Sequence, residues 1–131
     1  MEKKMGEAVA RVARKVNETV ENRADTLELN LEGNYIHRLP EEVQTLLHLR
    51  AINLSRNKFR HFPEQLISLK ALETINLEEN EIVDVPVEKL ASMESLQSVN
   101  LKSNPLNEEV RVIARPLIKF DLLMSPALPQ V

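Results

Sequence analysis

The chain has 131 residues, a length that holds one domain and one core, and with 43% apolar but only 3% aromatic residues that core is expected to be aliphatic. Two glycines and no cysteine exclude the glycine-rich phosphate loops, thiolate metal sites, cysteine nucleophiles and disulfides. The 17 Lys and Arg stand against 20 Asp and Glu, a net charge of −3, which supplies no basic field to draw the chain to nucleic acid.

Residues 1–22 come first. The start Met1-Glu2-Lys3-Lys4 carries no signal-peptide apolar segment and no glycine for myristoylation, and no apolar run in the chain exceeds three residues, as in Leu122-Leu123-Met124. A cytoplasmic or nuclear protein without stable membrane insertion is expected, and the sequons Asn17-Glu18-Thr19 and Asn53-Leu54-Ser55 are chance matches in that setting. At 100° per residue Met5, Ala8, Val9, Val12, Val16 and Val20 gather on one side, with Lys4, Glu7, Arg11, Arg14, Lys15 and Glu18 opposite. This predicts an amphipathic helix with one wet side.

Next comes a repeat, marked by Asn34, Asn57, Asn80 and Asn104 at spacings of 23, 23 and 24. Around each Asn one frame returns: Leu29-x-Leu31-x-x-Asn34-x-Ile36-x-x-Leu39-Pro40, then Ile52 to Pro63, then Ile75 to Pro86, and a truncated fourth frame, Val99-x-Leu101-x-x-Asn104. Alternation in Leu27-x-Leu29-x-Leu31 and its counterparts predicts short strands with one buried face, stacked as a parallel sheet. Each turn after a strand leaves backbone groups that a carboxamide, donor and acceptor at once, can satisfy from inside. Pro40, Pro63 and Pro86 then fix φ for a short helical or 3-10 return, with an acidic residue soon after. Val43, Leu46 and Leu49, then Leu66, Leu69 and Leu72, then Leu90, Met93 and Leu96 close the coils from the convex side.

On these residues the chain resembles the leucine-rich repeat family, in its 23-residue class with a Leu-Pro pair, over about residues 27–106. The resemblance implies an α/β solenoid with a short curved parallel sheet, convex helical or 3-10 turns and a helical cap at each end. Some members place further repeat material between a leading helix and the first complete frame. Here Asp25-Thr26-Leu27-Glu28-Leu29 runs straight in, which implies a shortened stack.

A stack of coils leaves an open apolar face at each end. The helix in residues 1–22 is expected to cover the first. At the other, Asn107 is placed to cap a helix with Glu108 and Glu109 in its first turn and Val110, Ile113 and Ala114 facing the last coil. Pro116 should break or kink it, Leu117–Met124 continue the cover, and residues 125–131 read as a frayed tail. The single domain thus divides into a cap at 1–22, repeats at 25–106, a second cap at 107–124 and the tail.

Little in the chain reads as chemistry. His37 and His61 sit three and four residues past their Asn, in neighbouring columns, and Arg38, His61 and Asp84 form a charge ladder rather than a ligand set. Glu78-Glu79 and Glu108-Glu109 lack an apolar pocket, and Ser55 and Ser103 lack a partnered base. No enzymatic activity, metal or cofactor is expected.

What remains is a regular surface. The residues between the buried ones point to the concave side: Glu28, Ala51, Thr74 and Ser98 in one column, Asn30, Asn53, Asn76 and Asn100 in the next. Beyond them lie Glu32, Ser55, Glu78 and Lys102, then Gly33, Arg56, Glu79 and Ser103. This face is polar and mildly acidic, and concave solenoid faces are the usual binding surfaces. A protein-docking module with a protein partner and no nucleic-acid partner is expected, with weak self-association through the open sheet edge. An alternative is a membrane-surface or structural protein acting through the helix 2–22.

Overall fold

The computed structural model describes residues 27–125, so the expected N-terminal cap at 1–22 and all of the expected tail but Ser125 lie outside the described residues. Five short strands, β1 (Glu28–Asn30), β2 (Ala51–Asn53), β3 (Thr74–Asn76), β4 (Ser98–Asn100) and β5 (Asp121–Leu123), form one parallel sheet in chain order. Returns on the convex side are 3-10 turns at Glu41–Thr45 and Glu64–Ser68, then two helices, α1 (Val87–Ala91) and α2 (Glu108–Leu117).

The register follows the repeat. Leu29 pairs with Ile52, Ile52 with Ile75 and Ile75 with Val99, so the alternating apolar positions line the inside of the coil. All nine convex apolar residues, from Val43 to Leu96, are buried against them, as expected. An aliphatic core with Phe59 and Phe62 as its only fully enclosed aromatics fills the tube.

The prolines act as their fixed φ dictates. Pro40 and Pro63 stand in extended backbone at the entry of the two 3-10 turns, with Glu41, Glu42 and Glu64 in the first turns. Pro86 precedes α1 instead. The extra residue that makes the third spacing 24 falls in this segment, and the Leu90 amide donates to the Pro86 carbonyl (3.0 Å), an α-type bond where the earlier coils make 3-10 bonds. Val87 is buried there with Val110 and Ala114 of α2, so the longer turn seats the C-terminal helix.

The C-terminal region departs from expectation in four ways. Asn107 does cap α2, accepting from the Val110 amide (3.1 Å), and Val110 and Ala114 are buried, but Ile113 is 41% exposed. Positions 110 and 114 lie 40° apart on the helix whereas 113 lies 60° beyond 110, so one narrow face meets the coil. Pro116 does not break the helix, which runs one residue further to Leu117; it sits in the last turn, where the Ile118 amide still reaches the Ala114 carbonyl (2.8 Å). Finally, Leu117–Met124 is more than a cover, because β5 continues the sheet beside β4, with Val99 paired to Leu122. Ser125, expected to be frayed, accepts from the Ser103 amide through its hydroxyl (2.7 Å).

Candidate functional site: the concave sheet face and its edges

The sheet is held at its C-terminal edge by the repeated Asn. The Asn57 Nδ2 donates to the carbonyls of Leu31, Leu54 and Ser55, and its Oδ1 accepts from the amides of Asn34 (2.8 Å) and Ile36 (3.2 Å). Asn80 and Asn104 repeat this, accepting from Phe59 and Ile82 and donating to carbonyls of their own coil and the one before. All three are buried, and among the described residues no buried side-chain polar atom lacks a partner. The residue before each Asn takes a left-handed conformation: Gly33 (φ 69°), Arg56 (56°), Glu79 (58°) and Ser103 (60°). Only the first of these is a residue type that announces such a turn.

On this frame the expected concave columns are in register. Glu28, Ala51, Thr74 and Ser98 pair in sequence across the strands, joined by Asp121, and Asn30, Asn53, Asn76 and Asn100 pair likewise, joined by Leu123. The strip is less free than the sequence suggests. Each Asn in the column turns its Oδ1 back to accept the amide two residues on, in Glu32, Ser55, Glu78 and Lys102, all at 3.0 Å. These carboxamides therefore close the strand ends, and Asn53, Asn76 and Asn100 are half-buried rather than fully exposed to water.

Ser55 must be removed from the docking strip. It is 7% exposed, because its hydroxyl donates to the same Asn53 Oδ1 (2.7 Å) and is drawn under the turn. Arg56 lies between Glu32 (3.9 Å) and Glu79 (3.8 Å), two loose and exposed ion pairs that add little stability. Glu78 accepts from Asn100 Nδ2 (3.1 Å). By contrast Glu28, Thr74, Ser98 and Lys102 make no side-chain hydrogen bond or ion pair among the described residues, and neither does the Asn76 amide nitrogen. A shallow hollow over Ala51, walled by Glu28, Asn53, Thr74 and Asn76, lies among them.

Among the described residues no group of His, Asp or Glu is arranged to bind a metal ion, and no helix is long and apolar enough to cross a membrane. The charge ladder is present: His61 and Asp84 pair in parallel, and Asp84 accepts from Asn107 Nδ2.

A parallel sheet built from coils of 23 or 24 residues, three of them locked by a buried Asn, defines a class of solenoid. Residues 25–82 and 48–106 each match the leucine rich repeat family model, and the chain belongs to that family. It is 55% identical to leucine-rich repeat-containing protein 20 of Homo sapiens and 54% identical to that of Mus musculus, over 96% of this chain and 96% of theirs. The alignment spans 176 positions against 131 residues here, an excess close to two 23-residue coils. Among solved structures, a leucine-rich repeat protein of Leptospira interrogans matches with a TM-score of 0.70 and 31% identity over 82% of this chain; the chain spans 27% of that protein. Internalin C2 of Listeria monocytogenes (TM-score 0.57, 18% identity, 79% of this chain and 46% of that one) shows the fold alone. The family is one of protein-interaction modules.

Proposed function

We propose that the chain is a non-catalytic docking module that holds a protein partner on its concave sheet face. The observation that carries this reading is the centre of the strip, where the Glu28 carboxylate, the Thr74 hydroxyl and the Asn76 amide nitrogen stand around the Ala51 hollow without partners among the described residues. Polar groups fixed on a rigid backbone and left unpaired can bond an incoming segment without losing existing bonds, which keeps the ordering cost of binding low. Glu32, Asn30, Asn53, Arg56, Glu78, Glu79, Ser98, Asn100 and Lys102 form the rim, and the module acts inside the cell.

The test is a substitution on the strip that leaves the frame alone. Thr74 is exposed and its side chain bonds to nothing among the described residues, so Thr74→Arg blocks the hollow and should shift stability by no more than about 0.5 kcal/mol. Partners captured by the wild-type chain should be lost to Thr74→Arg and kept by Lys70→Ala on the convex side. Retention of every partner by the folded Thr74→Arg variant would remove the docking strip from this face.

A further inference from the structure

Beside the sheet, the segments that leave each Asn toward the convex side form a second ordered surface. Their backbones are tied coil to coil: the Lys58 amide donates to the Ile36 carbonyl (2.8 Å), Glu81 to Phe59 (2.8 Å) and Asn107 to Val83 (3.0 Å). Side chains along this ridge therefore stand in columns about 5 Å apart. The first column reads Tyr35, Lys58, Glu81; the next His37, Arg60, Val83, Asn107; the third Arg38, His61, Asp84, Glu108. All are exposed except Asn107, which is half-buried.

The charge along the ridge is split. The first two coils carry Arg38, Lys58 and Arg60 with two histidines, and the next two carry Glu81, Asp84 and Glu108. Among the described residues two ion pairs cross the boundary, and both use Glu81: it lies 3.9 Å from Lys58 and 3.8 Å from Arg60, one carboxylate shared by two cations at long range. Arg38 makes no ion pair among the described residues. Two close pairs lie away from the ridge, Arg50 with Glu73 (2.8 Å) and Lys89 with Glu64 (2.7 Å).

We propose that this ridge is a docking rail for a short segment of a partner protein, with an acidic block over Arg38, Lys58 and Arg60 and a basic block over Glu81, Asp84 and Glu108. The charge split fixes the direction in which the segment lies. Four coils span roughly 15 Å, about the length of five extended residues, so the segment is short. A membrane or a nucleic acid is a poorer occupant, because a broad surface of uniform negative charge would meet the acidic half of the ridge within the same footprint and be repelled. Val83, exposed at the boundary, offers an apolar contact at the centre of the rail.

The proposal stands apart from the concave reading and is tested separately. The probe is a synthetic peptide with an acidic block, a glycine and a basic block, carrying a nitroxide at either end, added to the isotope-labelled full chain and followed by amide NMR. A nitroxide on the acidic end should broaden residues 37–38 and 58–61, and one on the basic end residues 81–84 and 107–108. Rising salt should weaken binding. Arg38→Glu with Arg60→Glu should weaken it at least tenfold, and Thr74→Arg should leave it unchanged. Glu81→Lys should abolish the end preference and bind an all-acidic peptide at least tenfold more tightly than the wild type does. Broadening that is the same from either end, affinity retained by the Arg38→Glu, Arg60→Glu variant, no saturable binding, or ridge-dependent pelleting with anionic vesicles would each overturn the proposal.

Discussion

At the scale of single residues, two sets of asparagines that look alike in sequence perform unlike tasks. Asn57 completes five hydrogen bonds with backbone groups of two coils, and replacing it strands buried donors and acceptors that no water reaches. Asn53 closes one strand end at a half-buried site, where water can substitute for a lost carboxamide. In a urea titration Asn57→Leu is expected to cost at least about 2 kcal/mol and Asn53→Ala about 1 kcal/mol. Equal midpoint shifts would mean the inner ladder is no better shielded than the outer one. The inner set was legible from its 23-residue recurrence inside the turn frame. The capping role of the outer set was not, because alternation shows which side a residue faces and not what its side chain bonds. Ser55 failed for the same reason: it lies in an outward column, yet Asn53 captures its hydroxyl. The left-handed conformation at Arg56, Glu79 and Ser103 was hidden likewise. There hydrogen bonds to the next coil, such as Arg56 amide to Glu78 carbonyl (2.9 Å), hold an unfavourable φ that only Gly33 advertises.

At the scale of elements, four strands and three returns were readable because the apolar period and the prolines agree with one another at every level. The fifth strand was not, although Leu122 stands 23 residues after Val99. The position 23 past Asn104 is Ala127, so the marker that revealed the other coils is missing. The third return shows how one added residue changes an element. With it the turn becomes α-helical, and Val87 turns inward to meet Val110 and Ala114. Val87→Ala removes two buried methyl groups and should cost about 1–2 kcal/mol. Most of that loss belongs to the contact with α2. Amide exchange of residues 108–117 should therefore accelerate more than that of β2 and β3, and uniform acceleration would show that α2 is held by something other than this seat.

At the scale of the whole molecule, each strand pairs only with its immediate neighbours, so stability is a sum of coil and interface terms rather than a single core. That arrangement lets coils be added or lost while the rest of the stack is kept. It also predicts that position in the stack decides the effect of a lost side chain. Leu77 is wholly buried just beyond the middle strand β3, with a coil on either side, while Leu122 is half-buried on β5, which among the described residues pairs with β4 alone. Leu77→Ala opens a cavity that neighbours on both sides must absorb, at about 2–5 kcal/mol, and every coil depends on the two interfaces it weakens. Leu122→Ala has solvent and a free edge to relax into, so about 1 kcal/mol is expected, confined to β5 and α2. Native-state hydrogen exchange separates the two cases. The first variant should lower protection across β1 to β5 together, and the second should release residues 108–123 while β2 and β3 keep wild-type protection. If Leu122→Ala lowers protection in β2 and β3 as much as Leu77→Ala does, the coils fold as one indivisible unit and the nearest-neighbour account is wrong.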